Sequence, residues 1–170
     1  MTRQLVECAG LIEAGDWGDE AVLTSAAQNV LTTAADYLAS LESQPFPNAV
    51  VEVSLVFTDD GPMTELNGHW RGKHQPTNVL SFPAYPIVPG DKPGPVLGDI
   101  VLSRSLIERE SRDLGKPVED HITHLLVHGF LHLFGYDHIN PDEARDMENL
   151  ETRILAKLGL SDPYNGMEPD

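Results

Sequence analysis

The fold is decided by residues 118–134, VEDHITHLLVHGFLHLF, which Gly135 follows directly. Wound as a helix, this stretch is apolar nearly all round, and histidines make most of the interruptions. A helix of that kind is usually buried at the centre of a domain. Gly135 can adopt the left-handed backbone conformation that ends a helix. The stretch therefore predicts a buried central helix over residues 118–134.

The segments before this helix mix helical and strand patterns. Apolar residues at helical spacing predict a helix over residues 25–43, and β-branched residues predict a buried strand over residues 49–58. A turn is predicted at residues 59–61. Two further helices are predicted at residues 63–70 and 104–113, and two further strands at residues 78–82 and 96–103.

A last helix is predicted to begin after Asn140, a favourable N-cap, with Pro141 in the first helical position, and to end at Gly159. Helices and strands follow one another without regular βαβ order, which predicts an α+β fold. We expect a single domain over residues 1–160, with a small mixed β-sheet and about five helices packed around the histidine-bearing helix. Residues 161–170 are predicted to be an acidic, disordered tail.

Composition favours a cytoplasmic protein that does not bind membranes. No apolar run approaches the roughly 20 residues of a membrane helix, and residues 1–10 lack the pattern of a secretory signal. Cys8 is the only cysteine, which suits a reducing compartment. The net charge of −16 argues against diffuse binding to nucleic acid, because such binding needs a basic surface. An RNA or DNA site must therefore concentrate the few cations at one place.

The chemistry is expected at three histidines. His128 and His132 are four residues apart, so a helix places both imidazoles on one face. Gly135 lets the chain turn back and present His138 as a third ligand. Three neutral imidazoles suit zinc and leave a fourth position for water or substrate. A structural zinc site is normally closed by four protein ligands, so we expect an open, catalytic metal site.

Four other residues of this region bear on the site. His121 and His124 are expected to support the ligands or to pack, rather than to bind the metal. Asp137 either orients a ligand imidazole or stabilises the loop, and the sequence leaves both interpretations open. Gly129 stands where metalloproteases of the H-E-x-x-H type carry their general base, which disfavours peptide hydrolysis. A glycine there also predicts close approach of a packed chain or a bulky substrate.

A second unusual segment, residues 66–83, holds Arg71 and Lys73 in a chain with few cations. The arginine side chain offers a planar fork of donors that matches phosphate oxygens. Trp70, with His69 and His74, could stack on the bases of single-stranded RNA. The alternative is a polar loop with a buried Trp anchor, and the residues alone leave the two interpretations open.

These segments together resemble the YbeY family, the bacterial rRNA maturation endoribonucleases. Residues 128–138, HGFLHLFGYDH, resemble the family signature H-G-x-L-H-L-x-G-Y-D-H. Residues 70–83, WRGKHQPTNVLSFP, resemble its R-G-K-x-x-P-T-D-V-L-S-F-P segment, and residues 97–100 resemble its L-G-D-I strand. The blocks occur in the family's order. One departure is Asn78, which stands where the pattern has Asp and so lacks the charge.

The resemblance implies a zinc-dependent endoribonuclease that cleaves single-stranded RNA. It implies one zinc ion per chain on His128, His132 and His138, maturation of the 3′ end of small-subunit ribosomal RNA, and a role in ribosome quality control. Expected partners are ribosomal RNA and the ribosome or its associated proteins. Arg71, His128 and His132 are the expected catalytic residues, and Arg71 and Lys73 the expected substrate-binding residues. Two alternatives remain: a non-catalytic ribosome assembly factor stabilised by metal, and a metalloprotease.

Overall fold

The computed structural model describes residues 3–164. In this part of the chain the elements follow in the order β1 (Val6–Ile12), α1 (Glu20–Leu41), β2 (Val51–Thr58), α2 (Asp60–Arg71), β3 (Val79–Pro83), β4 (Val96–Ser103), α3 (Arg104–Leu114), α4 (Val118–Leu133) and α5 (Pro141–Lys157). Four strands and five helices over residues 3–164 confirm the predicted α+β fold.

The four strands form one mixed sheet in the order β1-β2-β4-β3. β2 pairs in parallel with both β1 and β4, whereas β3 pairs antiparallel with β4. β2 therefore lies inside the sheet, and its alternate residues Val51, Val53, Leu55 and Phe57 are buried on one face. This alternation is the period of two that a strand imposes on its side chains.

Helix α4 lies at the centre of the domain, as predicted. It packs against α1, α3 and α5 and against strands β3 and β4. Gly129 is the point of closest approach to the sheet, because a Cβ there would lie 2.9 Å from Ser81 Oγ and 3.0 Å from Ile100 Cγ2. The Ser81 hydroxyl also donates to the Gly129 carbonyl at 3.0 Å. The glycine therefore admits a packed strand, the first of the two predicted possibilities.

The structure corrects the sequence-based prediction near the N-terminus. β1 was not predicted, and α1 begins at Glu20, where the Asp19 side chain caps the Val22 amide. The turn predicted at residues 59–61 is the start of α2, whose N-cap is Asp59. β1 is an edge strand with an alternating burial pattern, and its pairing with β2 depends on contacts about 45 residues away along the chain, which local propensity does not report.

The C-terminal helix begins as predicted. The Asn140 side chain accepts a hydrogen bond from the Glu143 amide at 2.9 Å, and Pro141 occupies the first turn. Of the predicted tail, residues 161–164 are described, and residues 165–170 lie outside the described part of the chain. Among the described residues, no helix combines the length and the apolar character that crossing a membrane requires.

Candidate metal centre

The end of α4 and the loop after it bring three histidines together. His128 and His132 lie one turn apart on α4, and one nitrogen from each, with one from His138, falls within 4.8 Å of the others. Gly135 makes the return of the loop possible because its φ is +97°, a conformation that favours glycine. A Cβ at this position would also lie 2.2 Å from the Ile87 carbonyl oxygen.

The hydrogen bonds of two imidazoles fix where their protons lie. His132 Nδ1 lies 2.8 Å from the Tyr136 carbonyl oxygen, which can only accept. His128 Nδ1 lies 2.5 Å from Oε1 of Glu151. An ionised carboxylate also only accepts, so both imidazoles carry a proton on Nδ1, and in the neutral form of each ring the lone pair is on Nε2.

These two lone pairs face each other, because the Nε2 atoms of His128 and His132 lie 3.1 Å apart. Two lone pairs at that distance repel unless a cation lies between them. Zinc–nitrogen bonds of about 2.0–2.1 Å in tetrahedral geometry separate two ligand nitrogens by about 3.4 Å. With the third nitrogen on His138, the donor set fits a zinc ion that keeps one coordination position free.

The ionisation of the surrounding groups favours metal binding. Burial, together with the neighbouring His128 and His138, lowers the pKa of His132 to about 4. The imidazole is therefore neutral at pH 7 and can act as a ligand. Burial alone would raise the pKa of Glu151, but hydrogen bonds and charges from His124 and His128 bring it to about 2. Glu151 is therefore a carboxylate at neutral pH.

Glu151 is the residue of this site that the sequence analysis missed. It lies on α5 and its side chain has no exposed surface. Its neighbours on the same helical face are apolar and buried: Met147, Leu150, Ile154 and Leu155. A carboxylate inside such an apolar stripe is the signal that could have drawn attention to it, since an unpaired buried charge is strongly unfavourable.

The other two histidines of α4 bond to protein groups outside the ligand cluster. His121 Nε2 lies 2.9 Å from Oε1 of Glu110, and His124 Nε2 lies 3.3 Å from the Tyr164 hydroxyl. Asp137 accepts a hydrogen bond from the backbone amide of His138 at 2.8 Å. Of the two interpretations left open for Asp137, this contact is the one expected of a residue that stabilises the loop.

A pocket of about 590 Å³ opens over the three histidines. Arg71, the last residue of α2, lines it together with Thr77, Asn78 and Ser81. Gly72 ends the helix in the left-handed conformation, with a φ of 69°, and turns the chain away directly after Arg71. The structure thus places Arg71 at the pocket, whereas Lys73 is not among the residues that line it.

Trp70 contradicts one of the two interpretations of the cationic segment, whereas stacking on RNA bases stays a prediction. Its side chain is 63% exposed, so a buried Trp anchor is wrong. The indole packs against His69 and Phe82, with ring centroids 4.9 Å and 5.9 Å away. It lines a separate groove with Val56 and Val101 and is not among the residues that line the histidine pocket. His69 and His74 line another shallow site.

Comparison with known proteins gives consistent matches along most of the chain. The protein-family profile described as Endoribonuclease YbeY matches residues 17–159. Proteins named Endoribonuclease YbeY from Allorhizobium ampelinum and Agrobacterium fabrum are 61% and 60% identical over 158 residues, which cover 93% of this chain and 94% of each relative. The solution structure of TM1509 from Thermotoga maritima is 19% identical, with a TM-score of 0.53, and covers 94% of this chain and 100% of its own. That likeness concerns the fold alone.

Proposed function

Because this chain belongs to the endoribonuclease YbeY family, we propose that it cleaves single-stranded RNA with one zinc ion bound by His128, His132 and His138. The observation that carries the zinc proposal is the pair of Nε2 lone pairs 3.1 Å apart, each fixed by an acceptor at Nδ1. The pocket above them has room for a phosphodiester and its neighbouring sugar.

Zinc, Arg71 and Lys73 would have different roles in the reaction. Zinc, when bound, would polarise the scissile phosphate or lower the pKa of a bound water toward about 7. The Arg71 guanidinium offsets the negative charge that develops on the phosphoryl oxygens. Lys73, two residues farther along and outside the pocket lining, acts on the neighbouring backbone phosphates of the RNA as a secondary cation.

The cellular substrate that we propose is the 3′ end of small-subunit ribosomal RNA, with a part in ribosome quality control. We assign the activity to the single domain of residues 1–160, acting in the cytoplasm. The net charge of −16 supports delivery to RNA through the ribosome or its associated proteins, since diffuse attraction to phosphate is weak for such a chain.

Two other functions predict different results. A protease of the H-E-x-x-H type needs a glutamate at position 129, where this chain has glycine and where even an added Cβ would lie within 3.0 Å of side chains of β3 and β4. A non-catalytic assembly factor agrees with the acidic composition and predicts ribosome binding without cleavage. We favour the nuclease because the three histidines line the same pocket as Arg71.

The test compares purified protein of measured zinc content on single-stranded RNA, on a duplex of the same sequence and on casein. His128→Ala and Arg71→Glu are the test variants, and Arg153→Glu, at an exposed position, is the matched control for Arg71→Glu. We expect the test variants to lose cleavage of single-stranded RNA and the control to keep it. Cleavage unchanged in His128→Ala would defeat the metal-nuclease proposal. Cleavage of casein by the wild type but not by His128→Ala would favour the protease. Ribosome binding without any cleavage would favour the assembly factor.

A further inference from the structure

We infer that Glu151 and Tyr164 are positioning residues for the metal ligand His128, so that the segment after α5 is part of the metal centre. The inference rests on the proposed metal site and names residues that the sequence analysis did not connect with it. Tyr164 lies in the stretch predicted to be a disordered tail. Both residues act through His128, and neither belongs to the ligand cluster of His128, His132 and His138.

The buried carboxylate of Glu151 has a donor for each oxygen. Oε1 accepts from His128 Nδ1 at 2.5 Å, and Oε2 accepts from the Tyr164 hydroxyl at 2.6 Å. With both oxygens occupied and no exposed surface, the carboxylate cannot rotate without breaking a bond to one partner. Tyr164 therefore holds the carboxylate in the orientation that points Oε1 at the imidazole.

The position of Tyr164 is itself fixed by short contacts with α5. One oxygen of Asp162 accepts from the Tyr164 amide at 2.8 Å and lies 3.2 Å from the Thr152 hydroxyl, whose proton it shares with the Glu148 carbonyl at 2.9 Å. Thr152 directly follows Glu151 on the helix, so residues 162–164 fold back onto the part of α5 that carries Glu151. Because the hydroxyl proton goes to Glu151, the hydroxyl oxygen can accept from His124 Nε2 at 3.3 Å.

The consequence for metal binding follows from the two tautomers of imidazole. A proton on Nδ1 leaves Nε2 free to bind the ion, whereas a proton on Nε2 blocks it. The Glu151 carboxylate stabilises the first tautomer, fixes the ring orientation and makes the ligand more basic. A buried charge is unfavourable for folding unless it is paired. The positioning of His128 therefore explains the presence of Glu151 in an apolar stripe better than packing does.

The first test measures zinc affinity by competition with a chromogenic chelator, in the absence of RNA. The test variants are Glu151→Gln and Tyr164→Phe. Their controls are Glu148→Gln and Tyr85→Phe, which make the same chemical changes at exposed side chains. We expect Glu151→Gln to weaken zinc binding by about 10- to 100-fold. Tyr164→Phe should weaken it by about threefold or more, and the controls by less than about twofold.

The second readout separates positioning from general structural support. Long-range ¹⁵N–¹H spectra of the metal-free protein report which nitrogen of each histidine ring carries the proton. We expect His128 to be the Nδ1–H tautomer in the wild type and a mixture of tautomers in Glu151→Gln. His132, which bonds to a backbone carbonyl, should keep its tautomer in both.

Zinc affinity and the His128 tautomer unchanged in both test variants would overturn the inference. If Glu151→Gln fails to fold, Tyr164→Phe decides alone, since it removes one hydroxyl and keeps the ring. The outcome is also separable from that of the nuclease proposal. Weakened zinc binding in a protein that never cleaves RNA would sustain the positioning role and defeat the nuclease, and RNA cleavage with unchanged zinc affinity would do the reverse.

Discussion

The Nε2 atoms of His128 and His132 lie 3.1 Å apart, and the Nδ1 atom of each ring faces a protein oxygen that accepts its hydrogen bond. Four residues of helix set the spacing of the two rings, but the acceptors come from elsewhere: a carbonyl in the following loop and a carboxylate on α5. The site is thus preorganised by one group inside the ligand signature, the Tyr136 carbonyl, and by one group outside it, the Glu151 carboxylate on helix α5.

Arg71 and Lys73 are expected to differ in importance although both are exposed cations of one segment. Arg71→Ala should reduce the cleavage rate on single-stranded RNA by about 10²-fold, because it removes a charge that faces the developing phosphoryl charge. Lys73→Ala should reduce the rate by less than about fivefold at moderate salt, since Lys73 lies outside the pocket lining.

The measurement is the initial rate on a short labelled oligonucleotide, with zinc content determined for each preparation. Both variants should retain zinc like the wild type, because protonated arginine and lysine side chains only donate hydrogen bonds and offer no lone pair to a metal ion. Equal losses in the two variants would contradict the assignment of Arg71 to the reacting phosphate.

Gly129 is predicted to tolerate no side chain. Gly129→Ala should lower the free energy of unfolding by about 1–3 kcal/mol, because the new methyl group meets Ser81 and Ile100 at 2.9–3.0 Å. Gly61→Ala is the matched control: nothing lies within 4 Å of a Cβ there, and alanine is the better helix former. Urea unfolding of the zinc-free proteins measures both. A Gly129→Ala variant as stable as the wild type would mean that α4 does not sit so close to β3 and β4.

Asn78 is expected to govern the pH dependence of stability. Its side-chain amide donates to Oε1 of Glu110 at 3.0 Å. Burial would raise the pKa of Glu110, but hydrogen bonds from His121 and Asn78 keep it below its ordinary value. This pairing therefore stabilises the wild type above about pH 4.5, and the contribution is lost as the pH falls below that value.

Asn78→Asp should reverse this slope, because two carboxylates would then face each other and the pKa of one would rise. The folded variant would bind a proton that its unfolded chain does not, so its stability increases as the pH falls from 7 toward 5. At pH 7 we expect a loss of about 1–3 kcal/mol relative to the wild type. Asn78→Ala is the control, with a loss that does not change over this range. Thermal unfolding at pH 7, 6 and 5 measures the trend, and parallel curves for the Asp and Ala variants would refute the pairing.

The central helix and the ligand spacing were accessible from sequence because both depend on local periodicity. The pattern of α4 and the β-branched residues of β2 and β4 predicted the α+β fold, and the family resemblance predicted an endoribonuclease; both are confirmed. The three histidines could be grouped because two lie on one helical turn and a glycine precedes the third.

The remainder depends on contacts between distant segments. β1 exists as a strand because β2 pairs with it, which no local pattern reports. Glu151 reaches His128 across 23 residues of sequence, and its place in the site follows from how α5 packs on α4. The 63% exposure of Trp70 depends on its tertiary surroundings, which the residue type does not predict.

The most direct test of the account is to strip the protein of metal with a chelator, restore zinc in measured steps and follow cleavage of single-stranded RNA. We expect no cleavage by the stripped wild type and a rate that rises in proportion to bound zinc up to one ion per chain. His132→Ala should neither bind this ion tightly nor recover activity. Full cleavage by the stripped protein, or recovery in His132→Ala equal to the wild type, would contradict a zinc nuclease centred on the three histidines.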